Sequence, residues 1–116
     1  MTKEKEQQWA KELKKAKQAV KEKDIPLGLH KKQNEEEMEY FRNKLAGAIS
    51  KNDWKETKKY YEKIITTRAT QTAIQIKEEK TGGYIIDEER VEKLIKHFFE
   101  DCIKLAISID KIFEKK

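Results

Sequence analysis

An all-α fold is what this chain predicts, with short N-terminal helices followed by a long antiparallel helical hairpin that oligomerises. Three observations lead there. The 116 residues include one proline and four glycines, so helices rich in Lys, Glu, Gln, Ala, Leu and Ile meet few breaks. Apolar residues recur at three- and four-residue spacings in successive stretches. The last stretch, Val91 to Phe113, is apolar around roughly 220° of a helical wheel, more than one neighbouring helix covers.

From Lys3 to about Lys23, Trp9, Leu13, Ala16 and Val20 fall on one narrow face, while Lys11, Lys14, Lys15, Lys17 and Lys21 cover much of the rest. This is either a solvent-facing helix docked by Trp9 and Leu13 or a basic helix laid against DNA phosphates. The segment Asp24-Ile25-Pro26-Leu27-Gly28-Leu29 breaks it, because Pro26 disfavours helical geometry at Ile25 and Gly28 permits a tight turn. Two short elements around that turn would make a reduced helix-turn-helix, a composition also common in connections with no DNA role. Asn34 then reads as an N-cap, with Glu35, Glu36 and Glu37 in a first turn where negative charge suits the helix dipole. Met38, Phe41, Leu45, Ala48 and Ile49 continue as a stripe that fades at Ser50-Lys51-Asn52.

Asp53-Trp54-Lys55-Glu56 resembles a capping box, Asp at the cap and Glu three residues on. A helix from there to Lys80 would reach about 40 Å and carry Trp54, Tyr61, Ile65, Ala69, Thr72 and Ile76 on one face. The alternation of Thr70, Thr72, Ile74 and Ile76 with Gln71, Ala73 and Gln75, then Gly82-Gly83 and Tyr84-Ile85-Ile86, leaves a β-hairpin over 70–86 as the competing reading. The charged turn Lys77-Glu78-Glu79-Lys80 favours helix. Thr81-Gly82-Gly83 ends that helix, and Asp87 caps the last one. One side of the last helix can pack on the Trp54 to Ile76 stripe, leaving Phe99, Ile103 and Ile107 to be covered by the Met38 to Ile49 helix, by another subunit, or by both. The oligomer interface is therefore expected over Leu94, Phe98, Phe99, Ile103 and Ile107, with Trp54 and Tyr61.

Composition narrows the function. With 36% hydrophobic and 42% charged residues, a lone chain has a thin core. The organisation expected is a basic N-terminal helical region over 1–52 and a helical-hairpin oligomerisation domain over 53–116. Residues 1–23 hold eight Lys against four Glu, whereas 82–116 hold seven basic against eight acidic groups, so the basic excess lies upstream. That is either a solvated surface or an end that meets a polyanion. A single cysteine, Cys102, leaves no internal disulfide framework and suits a reducing compartment. No apolar run approaches the roughly 18 residues of a membrane span, so a cytoplasmic protein without a membrane partner is expected.

Catalytic chemistry is not legible. No phosphate-binding loop pattern surrounds Thr81-Gly82-Gly83, and no Ser/His/Asp or Cys/His set stands out. His97 and Asp101 stand one helical turn apart beside Cys102, but Cys102 belongs to the apolar face and His97 to the polar one, which reads as a core thiol and a surface imidazole rather than a metal site. No enzyme activity, cofactor, metal or small-molecule substrate is expected.

The run Asp53-Trp54-Lys55-Glu56, a helix ending in Lys and Glu, Gly83-Tyr84-Ile85-Ile86-Asp87-Glu88-Glu89-Arg90-Val91-Glu92 and a final apolar helix together resemble the small subunit of tailed-phage terminases over residues 53–113. In many members a "WKEE" helix leads to a "G-x-[LI]-[IV]-x-x-E-x-V-E" turn and a helix that closes the oligomerisation domain. The resemblance implies hairpins assembled side by side into a ring, double-stranded viral DNA recognised by the N-terminal region, and recruitment of the large subunit, which owns the ATPase and nuclease. The segment Ala19 to Lys32 is similar to the family's helix-turn-helix. Phosphate contacts would fall to Lys11, Lys14, Lys15, Lys17, Lys21, Lys31 and Lys32. The location would be the host-cell cytoplasm. The competing function is a helical homo-oligomeric regulator or structural protein that binds another protein and no nucleic acid.

Overall fold

Residues 3–22, 26–81 and 88–114 are described by the computed structural model, and every element among them is an α-helix: α1 (Lys3–Glu22), α2 (Leu27–Ser50), α3 (Trp54–Thr81) and α4 (Glu88–Glu114). The molecule is a flat slab of 50 × 29 × 18 Å with α3 in its middle. α3 packs most extensively on α2, then on α1, with fewer close approaches to α4. The pairs Glu12–Thr66 and Val20–Lys77 align α1 with α3 in the same direction. Lys31–Glu78 and Phe41–Tyr60 run α2 the opposite way, and Arg90–Glu79, Asp101–Arg68 and Phe113–Trp54 do the same for α4.

α1 follows its pattern. Trp9, Leu13, Ala16 and Val20 are all buried and the lysines between them are exposed. Lys77 of α3 donates from Nζ to the Val20 carbonyl at 3.1 Å, placing a cation on one of the last carbonyls of α1, where the helix dipole favours it. The break falls between Glu22 and Leu27, with Pro26 extended (φ −55°, ψ 136°) at the N-cap of α2 and its carbonyl accepting from His30 N at 3.0 Å. Residues 23–25 lie outside the described residues. The elements either side of the break are helices of 20 and 24 residues.

Asn34 is not the cap of α2. It lies two turns inside, buried, and its Nδ2 donates to the Thr67 carbonyl at 3.1 Å. Leu27, His30, Asn34 and Met38 recur on one helical face, all but the half-buried Leu27 fully buried, and that packing extends the helix seven residues upstream of its best capping residue. Glu35, Glu36 and Glu37 are consequently exposed mid-helix residues rather than a first-turn device.

Three residues turn α2 into α3. Asn52 adopts φ 58°, a left-handed conformation that asparagine tolerates. Asn52 N donates to the Ile49 carbonyl at 3.0 Å and Asp53 N to the Ala48 carbonyl at 3.0 Å, the two bonds of a Schellman motif. Asp53 then caps α3 as expected, Oδ1 accepting from Glu56 N at 3.1 Å. The reciprocal arm of the capping box is superseded, since the Asp53 N–H already serves the end of α2. The short-looped antiparallel pair in the described residues is thus α2–α3.

α3 remains helical through Thr81, so the β alternative does not occur over 70–81, and its remainder, 82–86, lies outside the described residues, as do the expected end at Gly82-Gly83 and cap at Asp87. Threonine suits the helix here because each buried hydroxyl turns back to the carbonyl one turn earlier: Thr57 to Asp53 at 2.7 Å, Thr67 to Lys63 at 2.8 Å, Thr72 to Arg68 at 3.2 Å. Polar side chains can then line a helix that is enclosed on three sides.

Two apolar clusters meet on α3. One joins Trp9, Leu13, Ala16 and Val20 of α1 to Ile65, Ala69, Ala73 and Ile74 of α3 and Phe98, Cys102 and Ala106 of α4. The other joins Met38 and Leu45 of α2 to Ile64 and Ile109. Both clusters draw on either side of residue 52.

Candidate nucleic-acid interface

α1 projects five of the expected DNA-contacting residues, Lys11, Lys14, Lys15, Lys17 and Lys21, away from its buried stripe, all exposed. None forms an ion pair with a described side chain. A narrow apolar stripe leaves most of the circumference to charge, so the same spacing that docks the helix sets the basic face. On α2, Lys32 is exposed and Lys31 lies 3.6 Å from Glu78, a solvated pair of small energetic weight.

The expected oligomer interface divides. Leu94 and Phe98 are 6% and 0% exposed inside the chain's own core, so neither presents a surface to another subunit. Phe99 and Ile103 are half-buried against the α1 cluster, Phe99 lying 6.4 Å from Trp9 between ring centroids. The flank assigned to the Met38 to Ile49 helix or to a second subunit is therefore reached first by α1. The small side chains Ala69 and Ala73 of α3, 0% and 3% exposed, let a bulky indole bridge to α4. Ile107 stays 44% exposed and Trp54 50% exposed, although Trp54 was expected in the packed stripe of α3. Its indole rests edge-on against Phe113 at 4.8 Å, at the start of α3. Tyr61 is half-buried.

Two titratable groups sit in this core. Burial pushes the Cys102 thiol up to about 12, opposed by the Arg68 guanidinium, which itself pairs with Asp101 at 2.9 Å. Burial also pushes the Tyr61 hydroxyl up to about 12, Cys102 adding to it and the Trp9 indole opposing, and the hydroxyl oxygen has no well-formed hydrogen bond. Both groups stay neutral at ordinary pH, which makes Cys102 a packed apolar residue and a poor nucleophile. His97 points out, 3.6 Å from Glu100, so the histidine and cysteine face apart as their wheel positions require. Among the described residues no group of three or more His, Cys, Asp or Glu is arranged to hold a metal ion, and no helix is long and apolar enough to cross a membrane.

Two surface features were not singled out from the sequence. Between α2 and α4 runs an open groove of about 460 Å³, floored by Ile64 and Ile65 and walled by Met38, Leu45, Ile49 and Leu105. No periodicity announces it, because it exists only where α3 spaces two other helices apart. On the other side of α3, Lys55, Lys59 and Lys63 recur every fourth residue and are exposed, with Lys59 Nζ 5.3 Å from the Tyr60 ring centre. That row was legible as an i, i+4, i+8 spacing. No protein-family model, curated protein or solved structure matches the chain.

Proposed function

We propose that the protein is a non-catalytic DNA-binding and oligomerisation subunit of a viral DNA-packaging terminase, positioning double-stranded DNA and recruiting the large ATPase and nuclease subunit. The observation that supports it best is the outward face of α1, where five lysines stand without acidic partners among the described side chains. Such a face neutralises backbone phosphates and gives affinity that falls steeply with salt. Self-association would use the exposed Trp54 and Ile107 with the partly exposed Phe99 and Ile103, copies of α3 and α4 standing side by side as hairpins in a ring. Replacing Lys11, Lys14 and Lys15 together by Gln is expected to weaken duplex binding by at least tenfold at low salt and to flatten its salt dependence by about three in logarithmic slope, read by mobility shift. Unchanged affinity would reject the α1 face. A ring also predicts a native mass several times that of one chain, reduced by Ile107→Glu.

The second reading, a helical regulator or structural protein that binds another protein, is favoured by the groove between α2 and α4, whose apolar floor is concave and open. Duplex binding that is absent or insensitive to salt would move the assignment there.

A further inference from the structure

We propose that the groove between α2 and α4 receives an amphipathic helix of a partner protein with acidic flanks, its apolar stripe lying on α3 and its carboxylates meeting Arg42 on one wall and Lys104 on the other. The inference rests on the protein-binding reading of that groove and names what fills it. No residue of α1 lines the groove, so it stands or falls apart from the DNA reading.

α2 and α4 both run against α3, and among the described residues no Cα of one comes within 8 Å of a Cα of the other. α3 alone closes the floor between them, with Ile64 and Ile65. On α2 the wall residues Met38, Arg42, Leu45, Ala46 and Ile49 fall at i, i+4, i+7, i+8 and i+11, one helix face about 16 Å long. On α4, Leu105 and Ser108 form the opposite wall. Leu105 is two residues from both Ile103 and Ile107, roughly the other side of the helix, so the groove is separate from the flank offered for self-association. The lips are small: Ala46 and Ser108 are both exposed, which lets an incoming helix come close to the half-buried Ile49 and Leu105. Such a trough takes the i, i+3, i+4, i+7 stripe of a three-turn helix.

Charge selects the partner. The charged side chains lining the groove are Arg42, Arg68, Asp101 and Lys104. Arg68 and Asp101 neutralise each other at 2.9 Å, and Arg68 also donates to Thr72 Oγ1 at 2.7 Å. Arg42 and Lys104 are exposed and form no ion pair with a described side chain. Each wall therefore offers a cation, and the one carboxylate in the lining is already committed. Glu35 and Glu39 border a neighbouring hollow between α2 and α3 that also reaches Arg42, and neither lines the groove. A second copy fits worse than an acidic partner, because its α1 carries eight Lys against four Glu over 1–23 and would bring like charge to both walls.

The test uses the intact chain and a displayed library of three-turn helices, with Leu at i, i+3, i+4 and i+7 and flanking positions drawn from Glu, Gln and Lys. Selection on the native protein is expected to enrich Glu at the flanks, and selection on the Arg42→Glu, Lys104→Glu double variant to enrich Lys instead. A selected acidic peptide should bind the double variant about tenfold more weakly than the native chain, since two attractions become two repulsions. On the native chain it should shift the amide resonances of Ala46, Leu105 and Ser108. The triple α1 variant should retain the peptide, which separates a groove ligand from one held on the α1 lysines. No enrichment, the same flank charges selected by both proteins, or binding lost with the α1 lysines would overturn the proposal. Resonance shifts confined to the Phe99, Ile103 and Ile107 flank would also overturn it, while leaving the protein-binding reading in place. So would Ala46 and Leu105 resonances that move with protein concentration alone, because a second copy would then fill the groove.

Discussion

α1 and α3 are both lysine-rich amphipathic helices in sequence, yet they occupy opposite situations. α1 buries a single stripe, Trp9, Leu13, Ala16 and Val20, and its other described side chains are exposed or half-buried. α3 buries Thr57, Ile64, Ile65, Thr67, Ala69, Thr72, Ala73, Ile74 and Ile76, positions that go most of the way round the helix. The difference teaches that amphipathicity read from one helix reports how many neighbours it has. With one neighbour the stripe is clean; with three, the apolar and small residues spread and the pattern blurs. Threonines returning their hydroxyls to the preceding turn make that enclosure affordable without a fully apolar helix.

The sharpest way to break this contrast exchanges the same residue in both helices. Ala69→Glu places a carboxylate at a position 0% exposed between α1 and α4 and should cost several kcal/mol, comparable to the whole stability of a small domain. Ala19→Glu, on the exposed side of α1, should stay within about 0.5 kcal/mol. Loss of cooperative thermal unfolding by circular dichroism in the first variant only is the expected result, and equal behaviour would contradict the central position of α3.

A smaller effect comes from the anchor of α1. Trp9→Ala should cost about 3–5 kcal/mol. Because α1 is held by one stripe, the loss should appear first as lost amide hydrogen-exchange protection along α1, with α3 still protected. Uniform loss in both helices would mean that α1 is part of the same cooperative unit.

The mildest probe is alkali. Cys102 and Tyr61 are both held neutral, each raised to about 12 from ordinary values of 9.0 and 10.0. In the unfolded chain they ionise at those lower values, so their contribution to stability is complete below pH 9.0 and is lost as pH climbs through about 12. The melting temperature should be flat with respect to these groups below that onset and then fall. Cys102→Ala, although destabilised by its cavity, should delay the onset toward the range where Tyr61 alone acts. A melting temperature insensitive to alkali in the native protein would show that neither group stays neutral.

Much of this is legible in the order of the residues alone. The stripe of α1, the break near Pro26, the cap at Asp53 and the opposed directions of His97 and Cys102 all rest on interactions within a few residues along the chain, which spacing and residue type report directly. The lysine face of α1 follows from that stripe, and the row at Lys55, Lys59 and Lys63 was equally open to reading. What failed had a common cause. Asn34 has the chemistry of a cap, but contact with Thr67, 33 residues away, placed it inside a helix. Phe98 belongs to an apolar girdle that looked too wide for one chain, until α1 and α3 closed over it.

The chain by itself determined where helices form and which face of each is greasy, since those depend on turns of three and four residues. Only the tertiary structure decided that α3 is the hub, that α1 rather than α2 shields Phe99, and that Trp54 and Ile107 are left in solvent. Choosing which greasy faces meet is a competition among helices distant in sequence, settled by whether small residues such as Ala69 and Ala73 let a large one such as Trp9 approach, and no periodicity records that size matching.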